Sequence, residues 1–177
     1  MTSDPAATRE IPPYWMPRPA TAGKDGEAER FDALLRQAMD AGPDDPIDYR
    51  LPDSKWRFLS HVADAGQVVL HGSGAPDIGE FEPRQSDDIR EFGNRRAVYA
   101  ASDGIWPMFF AAVDRERFPH MSIMNGCIRV PDPSGAPARP YYLFSIGRRG
   151  LPARPVAHRN CLPVTRGHVR ARRDRRP

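Results

Sequence analysis

Two stretches of this chain carry side chains that can do chemistry. One is Val68-Val69-Leu70-His71-Gly72-Ser73; the other is Ala97-Val98-Tyr99-Ala100-Ala101-Ser102-Asp103, followed by Trp106, Phe109 and Phe110. Each is a short apolar run that stops on polar or small residues, the pattern of a buried strand opening onto a site. An imidazole on one strand end and aromatic faces on the other can enclose a small planar ligand. A glycine beside the histidine lets backbone N–H and C=O groups approach such a ligand without a side chain in the way.

The elements that position these residues follow from periodicity. Phe31, Leu34, Leu35, Ala38 and Met39 recur at helical spacing, and Gly42-Pro43 ends the run, which predicts an amphipathic helix over 26–41. A second helix is expected from about 54 to 65, with Asp53 or Ser54 as its cap, Trp56, Leu59 and Val62 on its apolar side, and Ala65-Gly66 as its stop. A strand over 67–70 follows directly. Asp103 is placed to cap a helix from Gly104 to about Arg115, with Pro107 in the first turn, where its missing N–H costs little. Further strands are expected over 121–130 and 141–146, separated by the turn-rich Pro131-Asp132-Pro133-Ser134-Gly135. The fold class is α+β.

Between the two motif strands, residues 74–96 are polar, with Ile78, Phe81, Ile89 and Phe92 as their apolar anchors, and read as a long loop or broken helix flanking the cleft. Its neighbouring acids, Glu80 with Glu82 and Asp87 with Asp88, read as solvated rather than as an acid/base pair. His61 reads as a helix-surface or core histidine, and His120 as a turn residue. Cys127 and Cys161 have no neighbours at zinc-ligand spacing, so no metal site is expected. No phosphate-loop or dinucleotide-fold glycine pattern is present.

With these residues in place, the chain resembles the ADP-ribosyltransferase superfamily, in the His-Tyr-Glu branch of the poly(ADP-ribose) polymerases and diphtheria-toxin-like enzymes. The resemblance rests on His71-Gly72-Ser73 and Val98-Tyr99-Ala100 and spans about residues 67–115. It implies an ADP-ribosyltransferase-like split β-sheet preceded by two helices, and NAD as the substrate. His71 would then bond the nicotinamide ribose and Ser73 support it. Gly72 would hold the carboxamide by its backbone, and Tyr99 with Phe110 would clamp the nicotinamide ring. Catalytic roles fall on His71 and Tyr99, and the enzyme would be a glycosyltransferase passing ADP-ribose to an acceptor the sequence does not identify. There are two departures. Pro107 stands near where the polymerases carry a hydroxyl, and no strand bearing the third-motif Glu follows Ile146. That Glu would stabilise the oxocarbenium-like sugar, so its loss implies NAD binding without efficient transfer. RNA 2'-phosphotransferase chemistry on the related fold would need further basic residues in the cleft, and none is identifiable.

Charge separates the ends of the chain from its body. Residues 147–177 carry ten Arg and one acid, net +9, whereas the other 146 residues are net −6. The Arg/Pro-rich end has no apolar periodicity and reads as sequence translated out of frame. Shifting the codons of His158 to Thr165 forward by one base permits Thr-Gly-Thr-Val-Tyr-Leu-Leu-Pro, a turn and an apolar strand. The terminal strands would then be missing, leaving an exposed sheet edge. Taken as written, the tail suits nucleic acid or another anionic surface, and the chain becomes a non-catalytic binding module for nucleic acid or a protein partner. Residues 1–24 hold five prolines around Tyr14, Trp15 and Met16 and read as an extended arm, expected to be disordered, whose aromatic cluster docks on the protein's own surface or on a partner. The expected organisation is therefore an arm over 1–24, one domain over 25–146 and a tail over 147–177. Two cysteines, no leader-like apolar segment and no membrane-length apolar run imply a cytoplasmic protein with no membrane association.

Overall fold

Apolar spacing and a left-handed Gly42 define α1, Glu27–Ala41, in a computed structural model that describes residues 10–20, 23–42, 45–74, 78, 80–86, 88–91, 93–113, 118, 121–132 and 134–147. The second helix, α2, spans Lys55–Asp64 and stops at Gly66, whose φ of 69° suits glycine. Phe31 and Leu35 from α1 meet Phe58, Leu59 and Val62 from α2, and Val68 closes this core. Phe31 and Phe58 pack edge to face with ring centroids 5.7 Å apart. Met39, expected on the buried face, is half exposed. At about 1.5 Å per residue, ten-residue α2 is shorter than fifteen-residue α1 and cannot cover its last turn. Trp56, expected in the apolar stripe, is only partly buried and takes the Arg57 guanidinium over its ring.

Polar groups lock the helix pair in register. Glu27, buried in the first turn of α1, takes Arg57 Nη2 at 2.7 Å, with Arg57 Nε donating to its other oxygen. Arg30 donates twice to Asp53 Oδ2, at 3.0 and 2.8 Å, and the Tyr49 hydroxyl donates to the Asp53 carbonyl at 2.8 Å. These bonds correct the expected cap. Ser54 is the N-cap by position but makes no side-chain bond there, and the Asp53 carboxylate is committed to Arg30. His61 Nε2 lies 2.7 Å from Asp32 Oδ1 on the helix surface, consistent with a structural histidine.

Three short elements follow. β2, Arg84–Gln85, and β3, Arg96–Ala97, make a two-stranded antiparallel sheet, and α3 spans Trp106–Ala112. The strand expected over 67–70 reduces to one antiparallel bridge, Leu70 with Ala101, and Val98-Tyr99-Ala100 has no regular structure and follows β3 directly. Low strand propensity at His71-Gly72-Ser73-Gly74 leaves nothing to prolong the ladder. The expected Gly104 to Arg115 helix starts at Trp106 and ends at Ala112; Arg115 lies outside the described residues.

The last hairpin pairs β4, Ile123–Val130, with β5, Arg139–Ile146, in the register Ile123 to Ile146 through Val130 to Arg139. Gly135, at φ 83°, makes the turn. The arm is not unstructured throughout: Met16–Pro17 forms β1, antiparallel to β5, so the sheet order is β1-β5-β4. Arg18 N donates to the Pro140 carbonyl at 2.9 Å, which sets the parity of the ladder and turns the missing N–H of Pro17 toward the free side. The described chain is thus α+β, with three helices and two small antiparallel sheets among the described residues. Where one domain over 25–146 was expected, contacts divide the chain into two compact units, Met1–Ala20 with His120–Gly150 in one and Thr21–Pro119 in the other. The arm belongs with the hairpin because β5 offers it an edge. The tail beyond 147 lies outside the described residues.

Candidate functional site

Leu70 and Ala101 exchange both backbone hydrogen bonds, N to O at 2.8 Å each way, and this one bridge lays the His71 segment beside the Tyr99 segment. His71 Nδ1 then falls 2.8 Å from the Tyr99 carbonyl oxygen. A carbonyl only accepts, so Nδ1 carries the proton and donates. In the neutral ring Nε2 is then the acceptor, and it has no protein hydrogen-bond partner among the described residues. The ring is half-buried, and Phe81 packs edge-on against it with centroids 4.8 Å apart.

Tyr99 is anchored at both ends. Its carbonyl holds His71. Its hydroxyl donates to the Gly93 carbonyl at 2.8 Å, with the Arg95 carbonyl at 3.1 Å as the second acceptor, and accepts the Arg95 amide at 3.0 Å. The phenol therefore ties down the 93–95 turn, and its side chain is half-buried.

Gly72 is required, for a reason the sequence reading did not contain. A Cβ there would stand 2.7 Å from the Pro107 carbonyl carbon and closer still to its oxygen. Gly74 repeats the contact at the other end of α3, where a Cβ would lie 3.0 Å from the Val113 carbonyl oxygen. The 72–74 run therefore lies along α3, and the bare Cα of Gly72, read from sequence as an opening for a carboxamide, is covered on that face by backbone. Ser73, between the two glycines, is half-buried.

Asp103 is not the N-cap that was expected: that position falls to Ile105, which makes no side-chain cap bond. Asp103, two residues earlier, accepts the Ile105 amide at 2.7 Å and the Trp106 amide at 3.1 Å on Oδ1, a side-chain turn leading into α3. Pro107 sits in the first turn of α3, as expected. Gly104 is buried against α2, where a Cβ would come 2.5 Å from Ser60 Cα and 2.7 Å from the Leu59 carbonyl carbon. This contact fixes where α3 begins relative to the helical core. Phe110 is half-buried on α3, with its ring edge-on to Phe109 at 5.4 Å.

The structure thus brings together His71, Tyr99 and Phe81, and packs Gly72 on α3, the helix that carries Phe110. Phe81 and Gly104 are the residues that sequence reasoning did not assign to the site. A phenylalanine between Glu80 and Glu82 signals Phe81, since a large apolar side chain in a polar loop needs a burial site nearby. Gly104 resembles any turn glycine and gave no signal. Among the described residues, no group of three His, Cys, Asp or Glu side chains could hold a metal ion, and no helix is long and apolar enough to cross a membrane. Compared with known proteins, the chain matches no family model, no curated protein and no solved structure.

Proposed function

We propose that the 67–113 segment is an NAD-binding site of the ADP-ribosyltransferase type, in a cytoplasmic protein that takes NAD as substrate. The observation that carries this reading is the Leu70–Ala101 bridge with its His71 Nδ1 to Tyr99 carbonyl bond, because it joins the two motifs and fixes the imidazole tautomer. Nε2 accepts a ribose hydroxyl, the Tyr99 ring stacks on the nicotinamide, and Phe110 on α3 supplies the second aromatic. The Gly72 carboxamide contact fits less well, since one face of that residue already meets Pro107. The split sheet of the family corresponds to the two small antiparallel sheets only at the level of α+β architecture. The sequence carries no strand with the third-motif Glu after Ile146, so on this reading the site binds NAD and transfers ADP-ribose poorly.

The test is saturable NAD binding by the full chain, measured by calorimetry. His71→Ala removes one hydrogen bond of about 0.5 to 1.5 kcal/mol, a roughly 2- to 12-fold loss in affinity. Tyr99→Ala removes a stacking face worth a similar amount. Tyr99→Phe keeps the ring and therefore the affinity. A folded sample that does not bind NAD sinks the proposal and leaves the binding-module reading, for which the ten arginines of 147–177 speak.

A further inference from the structure

The two edges of the β1-β5-β4 sheet differ in kind. At β1 the ladder is two residues long and holds Pro17, with Pro19 just after it, so this edge offers little to another strand. At the other edge β4 is an unbroken run of eight residues with no proline, no bulge and one charge, Arg129. Among the described residues β4 has a strand neighbour on one side, β5. Ladder parity gives the direction of its main chain. The Pro140 carbonyl accepts from Arg18 N, so Arg139, Tyr141, Leu143 and Ser145 bond toward β4. The bond from Gly147 N to the Ser122 carbonyl, at 2.6 Å, continues the same alternation. Met124, Gly126, Ile128 and Val130 therefore complete the ladder with β5, and Ile123, Asn125, Cys127 and Arg129 turn N–H and C=O outward.

The side chains of β4 decide what such an edge pairs with. On the face that Trp15 crosses, Met124 and Ile128 are exposed, at 57% and 37%, and they stand two residues either side of Gly126. We infer that β4 pairs antiparallel with β4 of a second copy of this chain about a two-fold axis at Gly126, joining two sheets into one of six strands. Each Met124 then lies beside Ile128 of the other copy, so each exposed apolar side chain covers the one opposite. Gly126 meets Gly126 at a non-hydrogen-bonded site, about 4.5 Å between Cα atoms. Its lack of a side chain leaves that centre to the indole, since a Cβ on Gly126 would stand 3.3 Å from the tip of Trp15. Neighbouring registers lose the match: centring on Cys127 sets Ile128 against Gly126, and centring on Asn125 sets Ile128 against Ser122. Charge agrees. The two Arg129 side chains fall six residues apart along the joined strands, about 20 Å, twice the screening length of about 10 Å. One arginine gives the edge nothing with which to select an acidic strand instead. Eight paired residues per copy is well under the roughly 20 to 30 per side of a standard interface, so the dimer is weak and concentration-dependent. Because proline blunts β1, the pairing closes at two copies rather than growing into a filament. The inference is independent of the NAD reading, which concerns the other unit.

The experiment is sedimentation velocity of the full chain between about 5 and 300 μM, a range that brackets a micromolar dissociation constant. The native chain moves from one chain mass toward two as concentration rises. Asn125→Pro removes an N–H that turns away from β5, so the hairpin keeps its own ladder. The dimer loses that bond twice by symmetry, and its dissociation constant rises on the order of tenfold. Met124→Lys changes a side chain that is already exposed, sets a charge beside Ile128 of the second copy and abolishes the dimer, while circular dichroism stays native. Disulfide trapping on a Cys127→Ser, Cys161→Ser background reads the register, because residues 124 and 128 of opposite copies face each other within disulfide reach. Met124→Cys and Ile128→Cys chains cross-link when mixed, and neither does so alone. Overturning results are a chain that is monomeric at every concentration, a dimer that survives both Asn125→Pro and Met124→Lys, growth past two copies, and trapping of either cysteine chain with itself in preference to the mixture.

Discussion

Gly72→Ala tests the geometry of the candidate site most directly. The added Cβ would overlap the Pro107 carbonyl, with 2.7 Å to the carbon where ordinary contact needs more than 3.4 Å. Pro107 is in the first turn of α3, and the start of that helix is itself seated by Gly104 on α2, so the obstacle is backbone that cannot rotate aside. Overpacking costs about 1 to 3 kcal/mol in sites that relax, and this one should reach the upper end, about 3 kcal/mol. With m near about 2 kcal/mol/M in urea, the unfolding midpoint falls by about 1.5 M. Gly66 is the control in the same unit. It has a φ of 69° and open space around it, so Gly66→Ala costs only the left-handed penalty of about 1 to 2 kcal/mol, and Gly66→Asn costs less because Asn tolerates that conformation. At Gly72 the order reverses: Asn, being larger, is worse than Ala. Urea unfolding followed by circular dichroism and tryptophan fluorescence reads all four variants. A Gly72→Ala cost under about 0.5 kcal/mol, or Asn better tolerated than Ala at position 72, would refute the packing of the 72–74 run on α3.

The remaining predictions concern named contacts. Tyr99→Phe frees the Gly93 carbonyl and the Arg95 amide, costs about 1 to 2 kcal/mol and raises hydrogen exchange at Arg95 while His71 stays in place. Phe58→Ala empties the centre of the helical core and costs about 3 to 5 kcal/mol by urea unfolding. Glu27 titrates below its ordinary value of 4.5, chiefly because Arg57 hydrogen-bonds its charged form. A carboxylate depressed in the folded state contributes stability that is present above its unfolded pKa and is lost as pH falls through the folded value. The urea midpoint of the native chain therefore drops as pH falls below about 4.5, and Glu27→Gln, less stable at pH 7, shows a shallower drop over the same range.

Sequence pattern located the helices because each signal there had one physical source. Phe31, Leu35, Leu59 and Val62 repeat at helical spacing, and Asp103 precedes a proline at the start of a helix. The hairpin was equally legible from two apolar runs about a proline-glycine turn. Less was legible where tertiary partners decide. Asp53 is as good a cap by type as Ser54, yet Arg30 on another helix claims its carboxylate. Val68-Val69-Leu70 has strand composition but meets only Ala101, since the glycines after His71 are shaped for a helix rather than for a second strand. The arm's prolines argued against any ladder, but Pro17 points its missing donor away from β5 and so does not interrupt the pairing.

The candidate site shows the same division within single residues. His71 and Tyr99 were visible as types, but the bond between them runs from an imidazole to a backbone carbonyl, which no residue identity encodes. Its consequence is chemical, since a proton held on Nδ1 makes Nε2 an acceptor. Phe81 then matters more than its place in a polar loop suggested. Its ring packs against the His71 ring with centroids 4.8 Å apart and planes 70° apart, so a ligand that binds the imidazole has Phe81 as its neighbour. Phe81→Ala therefore separates two arrangements by the sign of its effect on NAD affinity. If Phe81 is a wall of the occupied site, truncation weakens binding by lost contact area. If it stands where the ribose must go, truncation strengthens binding, because the ring no longer has to be moved from an apolar contact worth about 0.5 to 1.5 kcal/mol. With the two rings already in contact at 4.8 Å, Phe81 occupies space beside the imidazole, and the second outcome is expected. A Phe81→Ala chain that binds NAD less tightly than the native chain would show that the ring is part of the site as it stands.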